Sequence, residues 1–167
     1  MIKHIDSERL MGLNVPLLNE EKEKCVPRLR QNEKAVADTG YKNVIARLRN
    51  IFLKTAQQYN TSDYHIAVGT RCGISADLVR KIISPPTKKG HKVLTPVVLG
   101  CICVGLKLKR EDCEYLFNEF GMPLVFGTSM FVSITACALR DEDSIEDYIS
   151  ELKAYKVPGA ERLRSCN

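Results

Sequence analysis

The sequence contains no hydrophobic run able to cross a bilayer. The longest, Val97 to Leu106, includes two glycines and stops at Lys107, whereas a spanning helix needs roughly 20 apolar residues. The opening stretch MIKHIDSERL carries acids and lacks the apolar core of a secretory signal. With both absent, a soluble, cytoplasmic protein with no membrane partner is expected. Also missing is any CxxC pair or histidine cluster; His4, His65 and His91 are isolated. The seven cysteines, Cys25, Cys72, Cys101, Cys103, Cys113, Cys137 and Cys166, lie mostly in apolar stretches, where a free thiol packs as a small hydrophobe. Cys101 and Cys103 are two apart, so on a helix they face different ways and cannot chelate together. No metal and no cofactor are expected. GTRCG, residues 69–73, lacks the lysine and spacing of a phosphate loop. DEDSIED, residues 141–147, lacks the glycine and the terminal glutamate of a calcium loop and reads as a helix N-terminus with its acids. No nucleophile has a recognisable partner, so no enzyme activity is expected. Strand alternation is missing too. VLTPVVLG has β-branched residues, but its proline, its glycine and the helical spacing around it argue against a strand.

What is present is an all-α pattern with ample core material. The chain has 167 residues, 44% of them hydrophobic, enough for one large domain or a smaller domain with an attachment. The net charge of +5 is unevenly distributed. Residues 1–110 carry 20 Lys or Arg against 9 Asp or Glu, and residues 111–167 carry 5 against 11. That asymmetry points to a basic working surface followed by an acidic module.

Residues 1–40 form an expected N-terminal arm. LLNEEKEKC and PRLRQNEKAVADTG read as two short helices, the second opening on Pro27 and stopping near Gly40. From Tyr41, the spacing of Val44, Ile45, Leu48, Phe52, Ala56 and Tyr59 predicts a helix of about five turns. Thr61 or Ser62 then caps a second helix with Ile66, Ala67 and Gly69 inward, which Gly73 ends. Ser75 caps a third, SADLVRKII, with Leu78, Val79, Ile82 and Ile83 as its apolar positions, and Pro85-Pro86 stops it. SPPTKKGHK follows as a basic loop. Thr95 caps, and Pro96 opens, the most apolar helix. KREDCEYLFNEFG is amphipathic, with Cys113, Leu116, Phe117 and Phe120 inward, and completes a unit over residues 41–121. Residues 122–158 hold an acidic helix pair, TSMFVSITACALR and EDSIEDYISELKAYKV. Pro158-Gly159 end the ordered part, leaving residues 159–167 as a tail. The last two helix pairs share a layout at an offset of roughly 33 residues, although two units do not make a solenoid.

Five helices in the order long, short, short, buried, amphipathic, with the glycine turn inside HIAVGTRCGISADLVRKII, resemble the lambda-repressor-like (Cro/C1-type) DNA-binding domain over about Tyr41 to Gly121. In that family Gly73 matches the turn glycine and Gly69 a small residue in the first motif helix. Ile74 matches the apolar residue after the turn, and Val79 and Ile82 match the two that lock the second helix. The resemblance extends in outline to a bacterial subgroup with an additional C-terminal helix pair, here Thr128–Val157. It implies a five-helix domain with an N-terminal helical arm and a C-terminal helix hairpin. It also implies a DNA-binding transcription regulator with Ser75–Ile83 as recognition helix in the major groove of double-stranded DNA. The family's reading positions fall on Ser75, Ala76, Asp77, Arg80 and Lys81. A homodimer would place two such helices about 34 Å apart.

The residue types make sense on physical grounds as well. A short turn sets two helices at roughly 90–120°. A close crossing needs a small residue, and Gly69 supplies one at a propensity cost of about 1 kcal/mol. Ala76 suits a thymine methyl, Ser75 a base or phosphate, and Lys81 a guanine. The loop lysines Lys88, Lys89 and Lys92, followed by Lys107, Lys109 and Arg110 with no intervening acid, suit phosphates. Two departures stand out. Asp77 replaces a polar neutral residue frequent in the family, and SPPTKKGHK replaces a short asparagine-glycine turn. Asp77 and the acidic C-terminal helices therefore favour an alternative: a helical protein-interaction module that keeps the fold, has lost DNA binding and meets a protein partner.

Overall fold

The computed structural model describes residues 19–84 and 93–164, with side chains from residue 38 onward. Among the described residues there are seven α-helices, one 3-10 turn and no strand. The helices are α1 (Asn19–Gln58), α2 (Tyr64–Cys72), α3 (Ala76–Ile83), α4 (Pro96–Gly105), α5 (Arg110–Glu119), α6 (Met130–Asp141) and α7 (Ile145–Ala154). The chain divides into two compact units, Met1–Thr39 and Gly40–Asn167. Of the first, the described part is helix. The second holds the core and the α2–α3 pair.

α4 is the axis of that second unit. Its residues Val97 to Val104 are all buried, as the continuous apolar run requires, and it packs against α2, α6 and α7. Thr95 caps it by accepting from the Val98 N–H at 3.3 Å, with Pro96 in the first turn. The same local chemistry starts α6 and α7, where Ser129 and Ser144 each accept a backbone N–H at 3.1 Å. The acids Glu146 and Asp147 occupy the first turn of α7, where the helix dipole favours them. Among the described cysteines, Cys72, Cys101, Cys103 and Cys113 are buried and free, and Cys137 is half-buried and free. In the centre, Tyr148 is fully buried and its hydroxyl shares a 2.7 Å hydrogen bond with Thr135.

Several expectations are corrected. The two short helices of residues 17–40 and the helix expected from Tyr41 are one helix from residue 19, which continues through Pro27 and Gly40. Gly40 is a contact, not a stop. A Cβ there would collide with the Glu119 carbonyl oxygen and approach its carbon at 3.2 Å, so glycine lets α1 touch the end of α5. The cap of α2 is Asp63, not Thr61 or Ser62; Thr61 Oγ1 accepts from the Asp63 N–H instead. Ile66, expected inward, is 54% exposed, and Val68 and Cys72 take the core positions. The chain also does not lose order at Gly159. A 3-10 turn (Ala160–Arg162) buries Ala160 and Leu163. The Leu163 carbonyl accepts from Lys153 Nζ at 2.9 Å, and the Arg164 N–H donates to the Gly73 carbonyl at 3.3 Å.

The turn between α2 and α3 is therefore backed by α7 and the tail. Gly73 is left-handed at φ 65°, and a Cβ on it would lie 2.5 Å from Ile149 Cδ1. Gly73→Ala is expected to cost about 1–2 kcal/mol from its backbone alone, plus the displacement of Ile149. Ile149→Ala removes the obstructing atom. A double-mutant cycle by urea unfolding should thus return a coupling of about 0.5 kcal/mol or more. Additive costs would remove the contact between turn and α7.

Candidate nucleic-acid interface

The pair α2–α3 is built from local signals that meet across one glycine. Gly73 closes α2 by donating its N–H to the Gly69 carbonyl. Ser75 is extended at φ −73° and ψ 148°, and its Oγ accepts from the Leu78 N–H at 3.1 Å, starting α3. At the crossing, a Cβ on Gly69 would lie 2.8 Å from the Ile74 carbonyl oxygen and 3.2 Å from the Ala76 nitrogen. No side chain larger than hydrogen fits between these backbones, which accounts for a glycine inside a helix. Val79 and Ile82 bury the inner face of α3, and Ile74 is buried just before it.

The outer face of α3 is open. Asp77, Arg80 and Lys81 are exposed, and Ser75 and Ala76 are half-buried at its start. Of the five positions expected on α3, Ser75, Ala76 and Asp77 start the helix and Arg80 and Lys81 lie in its last turn, with Asp77, Arg80 and Lys81 forming the exposed side. Lys88, Lys89 and Lys92 lie outside the described residues. Asp77 Oδ2 accepts from Lys81 Nζ at 2.8 Å across one turn. That hydrogen bond, with the lysine's charge, holds the Asp77 carboxyl below its usual range. Both partners are exposed, so the pair adds little to stability. Its consequence is electrostatic: one carboxylate offsets one ammonium, and Arg80 remains as the α3 cation without an ion pair to a described residue.

Three residues matter here that sequence reasoning did not assign. Arg49, on the polar side of α1, donates from Nε and Nη2 to the Ile83 carbonyl at 3.1 and 2.8 Å, tying the end of α3 to α1. Nothing local signals this, because the partner is 34 positions away. Ser84 is exposed, one further turn along the Asp77–Lys81 stripe, and its Oγ donates to the Arg80 carbonyl at 2.7 Å. Extending the spacing by one turn would have found it. Arg71, in the last turn of α2, lies 3.5 Å above the Tyr59 ring, a cation–π contact that anchors that helix end. Lys107, Lys109 and Arg110 are exposed at the α4–α5 link, and Arg110 is paired with Glu114 at 2.8 Å.

Comparison with protein-family models, with curated proteins and with solved structures gives no match for this chain. No helix among the described residues is long and apolar enough to cross a membrane. No group of three or more His, Cys, Asp or Glu among them could hold a metal ion.

Proposed function

We propose that the chain is a DNA-binding transcription regulator of the Cro/C1 helix-turn-helix type, with α3 entering the major groove. The observation that carries this reading is the glycine-hinged pair α2–α3. It has backbone contact at Gly69, a left-handed Gly73 and a capped second helix whose outer face is free of packing. Those features set a short helix at an angle and leave its first turns free to reach base edges. Arg80 contacts phosphate or base without having to break an ion pair. Lys81 first exchanges Asp77 for the DNA. The loop lysines Lys88, Lys89 and Lys92 supply sequence-independent phosphate contacts. A two-fold homodimer is part of this reading.

A second reading, the helical interaction module that binds a protein, is favoured by one observation: the Asp77–Lys81 pair neutralises the middle of the α3 face. The two readings separate in a salt titration on selected and random duplexes. Arg80→Ala and the double change Lys88→Gln with Lys89→Gln should weaken binding to every duplex. Each lost phosphate contact should flatten log K against log salt by roughly 0.9. Lys81→Ala should cost about 1–3 kcal/mol on the selected duplex and less on random DNA. Asp77→Asn releases Lys81. A changed sequence preference assigns Asp77 to a base, whereas uniformly tighter binding makes it a phosphate repeller. Absence of saturable binding by the folded wild type at low salt would remove the DNA reading and leave the interaction module.

A further inference from the structure

A cleft of about 740 Å³ lies between α4, α5 and α6, with no residue of α2 or α3 in its lining, and its size is typical of small-molecule sites. Its apolar lining includes Cys103, Val104, Cys113, Ala136 and Leu139. Phe126 also lines it, although that ring is 70% exposed.

Two charged residues of the lining have unusual backbones. Lys107 (φ 50°) and Glu142 (φ 53°) are left-handed, a conformation that L side chains disfavour and that glycine or asparagine usually fills after a helix. Lys107 ends α4, donating its N–H to the Val104 carbonyl, and Glu142 ends α6. Asn60 and Lys156 take the same conformation after α1 and α7, outside the cleft, so this backbone closes helices in several places and it is the two charges that mark the cleft. The two charges are opposite, and neither forms an ion pair with a described residue. By contrast, Arg110 and Arg140 of the same lining are held by Glu114 and Asp141 at 2.8 and 2.7 Å. Lys109 follows on the α4 side and Asp143 on the α6 side, so one helix end presents positive charge and the other negative charge.

We propose that this cleft binds a short apolar peptide with free ends, whose separated termini match two opposite charges that do not pair with each other. Its carboxylate pairs with Lys107, its ammonium group pairs with Glu142, and its apolar body covers the thiol- and aliphatic-lined floor while burying Phe126. Neither end alone satisfies both charges, so recognition requires both on one apolar body. The site is independent of DNA binding and stands whether or not α3 reads bases.

The test is calorimetric titration of the full chain with the tripeptide Leu-Phe-Leu, its N-acetyl form, its C-terminal amide and free phenylalanine. Saturable binding by the free-ended tripeptide is expected, and weaker binding by phenylalanine, whose two charges share one carbon. Blocking either end of the tripeptide should weaken it about tenfold or more, the usual scale for a lost charge-assisted hydrogen bond. Lys107→Asn should abolish the discrimination against the amide, and Glu142→Asn the discrimination against the N-acetyl form. Asparagine tolerates the left-handed backbone, so both variants should keep the fold. Binding of phenylalanine as tight as that of the tripeptide, or absence of saturation by the tripeptide at millimolar concentration, overturns the proposal. So do blocked peptides that bind wild type as tightly as the free one, an arm that needs no variant to fold.

Discussion

Gly105→Ala should lower the melting temperature of the chain by roughly 4–8 °C. Gly105 is the last residue of α4, and a Cβ there would lie 2.7 Å from Cys72 Cα and 2.9 Å from the Arg71 carbonyl carbon, and against the Arg71 carbonyl oxygen. All three are backbone atoms, so no rotamer change relieves the clash; α2 or α4 must move. Both are confined. Cys72 is fully buried, and α4 is packed on α2, α6 and α7. Overpacking of this kind costs about 1–3 kcal/mol, and the upper end applies where the obstruction is backbone. Alanine's better helix propensity returns up to about 1 kcal/mol, leaving a net loss of about 2 kcal/mol and the temperature shift stated. Scanning calorimetry of the full chain measures it. Because the obstructing residues close α2, the shift should also misplace α3, so under the DNA-binding reading proposed above the affinity for DNA should fall in the same variant. An unchanged melting temperature would remove the backbone contact between α2 and α4 from this account.

That contact also shows where sequence reasoning reached its limit. Elements defined by local chemistry were legible. Gly73 at a left-handed position, Ser75 and Thr95 as caps, Pro96 in a first turn and the acids Glu146 and Asp147 at the start of α7 all arise from groups within four residues of one another, whereas Asp141 and Glu142 of DEDSIED close α6 instead. The all-helical class followed from the spacing of apolar positions, and the inner face of α3 from Val79 and Ile82. Features defined by partners far along the chain were not legible. Gly40 has the same local appearance as a helix stop, and only the Glu119 carbonyl, 79 positions on, makes it a contact. Arg49 reads as a solvated cation until the Ile83 carbonyl is placed beside it. Pro158-Gly159 reads as an end because the remaining stretch is short and polar, yet Ala160 and Leu163 find the core and Arg164 reaches Gly73. Ile66 was placed inward from its hydrophobicity, but α2 has only nine residues; a one-position change in which side meets α4 exposes it. For α3, the exposed positions Asp77, Arg80 and Lys81 follow from the apolar spacing of Val79 and Ile82.

Raising the pH above 9 should destabilise the protein steeply, and buried thiols should be a principal cause. Cys72 and Cys101 are fully buried. Burial pushes the Cys101 thiol up from 9.0 to about 12. It pushes Cys72 higher still, with the neighbouring Cys101 adding to the effect. The sign comes from proton binding. Below the unfolded value of 9.0, both states hold their protons and the full stability is present. Between 9.0 and about 12, the unfolded chain has released protons that the folded state retains, so stability is lost as pH rises. Each such thiol contributes about 1.4 kcal/mol per pH unit well above its unfolded value, or about 2.7 kcal/mol for the two together. Tyr148, raised by burial in the same core, joins above the ordinary tyrosine value near 10. Against a total stability of about 5–15 kcal/mol, one or two pH units suffice to approach unfolding. Urea titrations between pH 8 and 11 on wild type and on the double variant Cys72→Ala with Cys101→Ala isolate the thiol share. The variant starts less stable, because two buried sulfurs are lost, but its stability should fall with pH by about 2.7 kcal/mol per unit less than wild type. The two curves should therefore converge or cross. Parallel curves would mean that neither thiol is kept from water in the folded state.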